Sequence, residues 1–297
     1  KKLKLVYGLT DTHRTVPRTE GGIYTQENTK LVDPVEHMKH HGNYREREGL
    51  ENEIKQLVDS REQILKFKNK VGNQLIAFES RKDNLNQDFV QMLEADLNKS
   101  EKEAESLRYK IEKKMKEVEK YHPLIKAASN LNAVGYITLA YCFVYIDITK
   151  ARHPSSLWKY VGYHVPSYNR YKKGQKGGGN KALRTALYNM GVSQVIYKNK
   201  GASYGDVYIN RRKKTDNGHK YTWSMNAKKE WVWCKWKDAK PKKRYQDAIR
   251  KVAKHFLADY WYVGRTIYGL ETNPTYAEAQ LGMGHKTINP KERGWEF

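Results

Sequence analysis

A mainly α-helical chain is predicted by three features of the sequence. From Tyr44 to Tyr121 it is rich in glutamate and lysine, poor in glycine and free of proline, and Leu50, Leu57, Ile64, Val71, Phe78, Leu85 and Met92 recur at every seventh position. From Lys181, KALRTALYNMGVSQVIYK spaces its apolar residues as a helix does. From Gln246, a third run sets Ile249, Val252, Phe256 and Tyr260 on one helical face and Arg250, Lys251 and Lys254 on the other.

Taken in order, residues 1–43 open with KLKLVYGL, a short strand by its Val, Tyr and Leu content, and then turn polar. A segment of this length is too short to bury a core of its own. Residues 44–122 read as a long helical coiled coil. Ile54, Leu75 and Phe89 fill accompanying positions, while Leu97, Ala104, Ile111 and Val118 carry a second register. One long coil, or two helices folded back near Ser80 to Asn86, satisfies the pattern, and Pro123 ends it. A helical wall inside a monomer fits equally well, because several of the paired positions are not apolar.

Residues 123–271 are expected to form a helical domain. Within it, LNAVGYITLAYCFVYID reads as helix, glycine turn, helix, a hairpin able to aim backbone N–H groups at a phosphate. Gly135 equally serves as a plain packing turn. The tryptophans of the stretch from Lys228 to Leu270 are assigned to the core rather than to base-stacking platforms, since indole buries a large area. Residues 272–297 are polar and read as a peripheral C-terminal extension.

The charge balance narrows the partners. The chain has 56 Lys and Arg against 33 Asp and Glu, a formal net charge of +23, which favours a polyanion and salt-dependent affinity. A membrane is not indicated, because no apolar run reaches the roughly eighteen residues a spanning helix needs. Cys142 and Cys234 are the only cysteines, so no disulfide framework or cysteine-rich zinc site is expected, and a reducing, cytoplasmic location is.

The segment that speaks most directly to function lies between Leu157 and Tyr188. Its cations are Arg170, Lys172, Lys173, Lys176, Lys181 and Arg184, set around Gly177, Gly178, Gly179 and Asn180. The glycines remove side chains that would hold a backbone away from a nucleic-acid strand, and the tyrosines offer faces for base stacking. Hydroxyl candidates for a nucleophile are Ser167, Tyr171 and Ser203. None sits in a nucleophile elbow, and each is equally a turn or cap residue. Asp33 and Glu36, in Asp33-Pro34-Val35-Glu36, either share a divalent cation from one helical face or form a capping box around Pro34. Asp11 is a third carboxylate that could join them.

The order of segments LVYGLTDT, KLVDPVEH, SREQILKFKNKVGNQLIAF, LNAVGYITLAYCF, LWKYVGY and GQKGGGNKALRTALY resembles the insertion sequence 110 family of transposases, which includes the Piv DNA invertases. SYGDVYINRRK and AIRKVAKHFLADYW are similar to segments of that family's C-terminal domain. The resemblance implies a RuvC-like, ribonuclease-H-type α/β remnant in residues 1–43, an assembly coiled coil, and a helical transposase domain with a helix-hairpin-helix. It further implies a DNA recombinase that binds Mg²⁺, attacks DNA with a serine, and is guided by a structured RNA. The partners are then DNA, guide RNA and further copies of the chain in a dimer or tetramer at the nucleoid. Carried over by position, Asp33 and Glu36 take the paired acidic places and Asp11 another by a one-residue shift. The first acidic strand of the family would precede Lys1. Counting from Pro166, Ser167 is the nearest serine, although Tyr171 lies closer to the counted place. Gly135, Arg170, Lys172, Lys173, Lys176, Gly178, Asn180, Lys181 and Arg184 are the expected nucleic-acid contacts.

Overall fold

The computed structural model describes residues 11–14, 29–32, 44–81, 87–164, 178–228, 230–273 and 288–297. Contacts divide the chain into two units, Lys1–Glu53 and Ile54–Phe297. The boundary falls inside a helix, so the region read as coiled coil and the helical domain after it share one unit.

In the first unit, β1 (Asp11–Arg14) and β2 (Thr29–Val32) pair antiparallel, with Asp11 opposite Val32 and Arg14 opposite Thr29. The strand expected at KLKLVYGL lies outside the described residues, except that DTHR begins two residues past it.

Among the described residues, the second unit is helical apart from one hairpin. Two long helices, α1 (Tyr44–Arg81) and α2 (Gln87–Glu119), are folded back on each other. Lys68 Nζ lies 2.6 Å from a Glu101 carboxylate oxygen, and the rings of Phe78 and Phe89 meet edge to face at 5.1 Å. The sevenfold patterns translate into burial: Ala104, Ile111 and Val118 are buried on α2, and Val71 on α1. Ile54 and Val58 lie deeper still. The first register does not continue across the fold-back, and Met92 is 50% exposed. Leu85 lies outside the described residues. Helix α2 runs back along α1, so a residue one heptad on no longer faces the same seam.

Both long helices rest against the domain that follows. Tyr141 donates to Glu62 Oε1 at 2.6 Å and accepts from Arg61 at 3.1 Å, while Tyr145 donates to Asp59 at 2.9 Å. These tyrosines stand on α4 (Tyr136–Tyr145), which follows α3 (Pro123–Ser129). Pro123 suits the first turn of α3, where a backbone N–H has no partner, and His122 caps that turn by accepting from Ile125 N at 3.4 Å through Nδ1. Leu131–Val134, expected to be helical, is the turn itself. Asn132 holds it there: its carbonyl accepts from Gln194 Nε2 at 2.9 Å, and its amide donates to the Gly201 carbonyl at 3.1 Å.

Next come α5 (Pro154–Val161), α6 (Lys181–Ile196) and α7 (Gly205–Asp216), then the antiparallel pair β3 (Tyr221–Met225) and β4 (Trp231–Lys235). Last is α8 (Pro241–Ile267), against which α3, α5, α6 and α7 all pack. Ile249, Val252, Phe256 and Tyr260 are buried as their spacing requires. Arg250, Lys251 and Lys254 are half-buried, where an outward face was expected. Surrounded by four helices, α8 has no fully solvated side over its middle, so its charges need partners. Asp247 is held by Arg211 at 2.6 Å and Arg250 at 2.5 Å, and Arg265 donates to the Ala151 carbonyl at 3.1 Å.

Residues 288–297, the described end of the expected peripheral extension, are packed into the fold. Trp295 is 3% exposed and donates to Tyr204 Oη at 2.9 Å. Arg293 meets the fully buried Asp259 at 2.6 Å, and Asn289 N donates to the same carboxylate at 2.8 Å. Tyr204 donates to it as well, at 2.9 Å. Residues 288–297 therefore supply core contacts that a polar composition conceals.

Candidate nucleic-acid interface

Two sequence motifs cross at the base of the basic loop. Helix α5 stops at Gly162, whose φ of +79° and paired N–H groups close the helix in a left-handed cap. The chain returns at Gly178 and Gly179 directly against it. A Cβ on Gly162 would lie 2.7 Å from the Gly178 carbonyl oxygen, and one on Gly179 (φ +97°) would lie 2.5 Å from Gly162 N. Gly178 and Gly179, two of the three glycines expected to admit a nucleic-acid strand, admit another stretch of this chain. Asn180 is likewise engaged internally: its N–H donates to the Tyr160 carbonyl at 2.7 Å, and its Oδ1 caps α6 by accepting from Leu183 N at 2.9 Å.

The crossing pins both ends of the basic segment at one place. Ser167, Arg170, Tyr171, Lys172, Lys173 and Lys176 fall on that segment and lie outside the described residues. Beside the crossing, Ser156, Lys159, Tyr160, Gly179 and Asn180 line an open hollow of about 610 Å³. Lys181 is exposed and Arg184 half-buried, at the start of α6. Gly135 caps α4 with an ordinary φ of −85°, and a Cβ there would meet nothing within 4 Å. Neither its backbone nor its neighbours demand glycine; open space lies before that helix.

A second cationic feature among the described residues lies elsewhere. A cleft of about 890 Å³ runs along α7 and α8 and is closed by residues 289–293. Five cations line it, Arg211, Lys214, Lys220, Lys251 and Arg293, against the carboxylates of Asp206 and Glu292. Two of these cations are fixed from behind, Arg211 by Asp247 and Arg293 by Asp259. The Arg211 guanidinium also lies 5.4 Å from the centre of the Trp236 ring. Burial, reinforced by Arg211 and Lys214, holds the Lys251 ammonium below the usual lysine range. On the same helix, burial and then Arg250 and Lys251 push Lys254 down to about 8. Cations that depress one another in this way gain from a bound anion, which relieves their repulsion.

Ser203 lines this cleft. Its Oγ accepts from Asn132 N at 3.0 Å and its N donates to the Asn132 carbonyl at 3.3 Å, which ties the α3–α4 turn to the start of α7. His255 also lines the cleft, its Nδ1 3.0 Å from an Arg293 nitrogen. Sequence reading passed over Arg211, Lys214, Lys220, Lys251 and Arg293. For the first two a signal existed, since residues three apart in SYGDVYINRRKK share a helical face. For Arg293 none did.

No group of three or more His, Cys, Asp or Glu suited to a metal occurs among the described residues. Asp33 and Glu36 lie outside them. The hairpin register sets the backbone of Asp11 across from Val32. Likewise, among the described residues no helix is long and apolar enough to cross a membrane.

The assignment of tryptophan to the core holds for Trp261 and fails for Trp231 and Trp233 of the hairpin. Trp223, Trp231 and Trp233 are 48%, 49% and 56% exposed. A two-stranded ribbon has two faces, and only the face of Thr222, Ser224, Val232 and Cys234 turns toward the protein, with Ser224 buried and accepting from Lys240 N at 3.1 Å. Compared with family models, with curated proteins and with solved structures, the chain matches none.

Proposed function

We propose that this chain is a nucleic-acid-binding recombinase or transposase that cleaves and exchanges DNA strands. The observation that carries the reading is the cleft along α7 and α8, where five cations face two carboxylates and two arginines are anchored from behind by buried aspartates. Pre-positioned guanidinium groups suit phosphate oxygens, and the lysines beside them add charge without fixed geometry. The formal charge of +23 and the ordered resemblance of six segments to insertion sequence 110 transposases point the same way.

In this reading Arg211, Lys214, Lys220 and Lys251 hold the backbone of a DNA strand, and the segment pinned between Gly162 and Gly178 meets it with Arg170, Lys172, Lys173 and Lys176. A hydroxyl of Ser167, Tyr171 or Ser203 attacks a phosphorus; its oxygen bonds to the phosphate as the bond to the leaving deoxyribose oxygen breaks, and that oxygen takes up a proton. Asp11, Asp33 and Glu36 would hold Mg²⁺, which neutralises charge developing at the phosphate. The folded-back helices α1 and α2 provide the surface through which a dimer or tetramer assembles, a structured RNA guides the choice of site, and the protein works in the cytoplasm at the nucleoid.

The test is incubation with supercoiled DNA and Mg²⁺, scoring strand exchange and covalent protein-DNA adduct. One of Ser167→Ala, Tyr171→Phe and Ser203→Ala abolishes the adduct, and the double variant Asp33→Ala/Glu36→Ala abolishes exchange. An adduct that survives all three hydroxyl variants removes the nucleophile assignment. A second reading, an inactive binding or assembly protein derived from such a recombinase, is favoured by the structural use of Ser203 against Asn132. Salt-sensitive DNA binding without cleavage or adduct would select it.

A further inference from the structure

The outward face of the β3–β4 hairpin has no part in the cleft chemistry above, yet it is built with care. Alternation along the two strands places Tyr221, Trp223, Trp231 and Trp233 on this face, each about half exposed. Trp223 and Trp233 are direct cross-strand partners with ring centroids 5.3 Å apart, and Tyr221 stacks on Trp233 at 6.0 Å and 15°. Tyr221, Trp233 and Trp223 thus form one continuous aromatic surface. Leaving three indoles half in water forgoes the burial that Trp261 and Trp295 obtain in the same chain.

The surroundings identify what such a surface is suited to. Lys220, Lys228, Lys235 and Lys237 lie on or beside the hairpin. Of the two nearby carboxylates, Glu230 is held in the turn by Asn226 Nδ2 at 2.9 Å, and Asp238 sits in the turn after β4. An aromatic face with a cationic rim complements a polyanion with flat apolar groups, rather than an apolar protein partner. The hairpin is also continuous with the cleft, since Lys220 and Trp236 line the cleft and Trp236 N donates to the Lys220 carbonyl at 2.9 Å. In a duplex the base faces are stacked on each other and closed to such rings; an unpaired strand presents them.

We propose that the β3–β4 hairpin is a stacking platform for unpaired bases of a single DNA strand whose phosphates run into the α7–α8 cleft. This rests on the DNA-strand reading above and adds to it a selectivity for opened over paired DNA. Phosphate contact alone gives no such selectivity, because it is blind to pairing.

The experiment titrates the full chain with a fluorescently labelled oligothymidylate and with a duplex of equal length at one fixed salt concentration. Intrinsic tryptophan fluorescence is followed on the unlabelled oligothymidylate. Binding of the single strand is expected to quench that fluorescence. Trp233→Leu is expected to weaken single-strand binding about tenfold while duplex affinity stays within about twofold. Trp233→Phe, which retains a ring, should recover most of the loss. Unchanged single-strand affinity in Trp233→Leu with duplex binding intact overturns the platform and leaves the cleft reading standing. No binding of either nucleic acid by the wild-type chain overturns the cleft reading itself. Tighter binding of oligouridylate than of oligothymidylate overturns the assignment to DNA. Should Trp233→Leu fail to fold, the wild-type titration decides, because binding without quenching also overturns the platform.

Discussion

At the α5–α6 junction the polar groups are answered from inside the chain, whereas in the α7–α8 cleft the cations outnumber their partners. Asn180 at the junction donates its backbone N–H to the Tyr160 carbonyl and accepts from Leu183 N through its side-chain Oδ1, and Gly178 and Gly179 lie against Gly162. In the cleft, buried aspartates hold Arg211 and Arg293 in place, yet Lys214, Lys220 and Lys251 add charge that Asp206 and Glu292 do not match. The junction is the more conspicuous in sequence, with three consecutive glycines among lysines. The difference teaches that a conspicuous motif can be the mark of a tight chain crossing, while charge available to a ligand stands at ordinary helical positions.

The contrast is broken most forcefully at its deepest support. Asp259→Ala leaves Arg293 without its buried partner and is expected to lower stability by about 3–5 kcal/mol in urea denaturation. Gly179→Ala tests the junction: its φ of +97° and the 2.5 Å approach to Gly162 N predict a loss of about 3 kcal/mol. A loss below about 0.5 kcal/mol would show that the crossing is not tight.

A pH titration probes another internally satisfied group. Burial pushes His122 down to about 4, and its Nδ1 must stay unprotonated to cap α3. Because the folded value lies below the ordinary 6.5, the unfolded chain takes up the proton first. Stability is therefore full above pH 6.5 and falls by about 2–3 kcal/mol as pH drops toward 4. His122→Asn, which keeps a capping oxygen, should flatten that slope in thermal denaturation across pH. The smallest effect on stability belongs to Lys214→Ala/Lys220→Ala, within about 0.5 kcal/mol. The same pair should lower DNA affinity and reduce the slope of log affinity against log salt by about two. An unchanged slope would mean that the cleft does not meet phosphate.

How much was legible in the sequence follows from what each signal encodes. Seven-residue recurrence reports burial along a helix, so Ala104, Ile111 and Val118 fell inside as expected and the mainly helical class was correct. The recurrence alone did not choose between one long coil and a fold-back near Ser80 to Asn86, because Leu85 and Met92 keep the spacing; the helices end at Arg81 and restart at Gln87, as the second reading has it. The inward face of α8 was legible from Ile249 to Tyr260; its other face was not, since the number of neighbours around a helix is not written in its own period. Tryptophan identity says how much area a residue can bury but not whether a ribbon is covered on both sides, and so Trp231 and Trp233 were misplaced. Trp295 and Arg293 were missed for the opposite reason: their partners, Tyr204 and Asp259, lie far away in sequence, and no local pattern announces them.

The docking of Arg293 on Asp259 has a consequence for biosynthesis. The ribosome releases α7 and α8 before residues 289–293, so one wall of the cleft is missing while those helices first collapse. During that interval Asp259 is a carboxylate facing a half-built core, and burial alone favours its protonated form. The arrival of Arg293 brings the countercharge and the closing wall together, so the nascent chain acquires its full set of cleft cations only after the scaffold beneath them has been laid down.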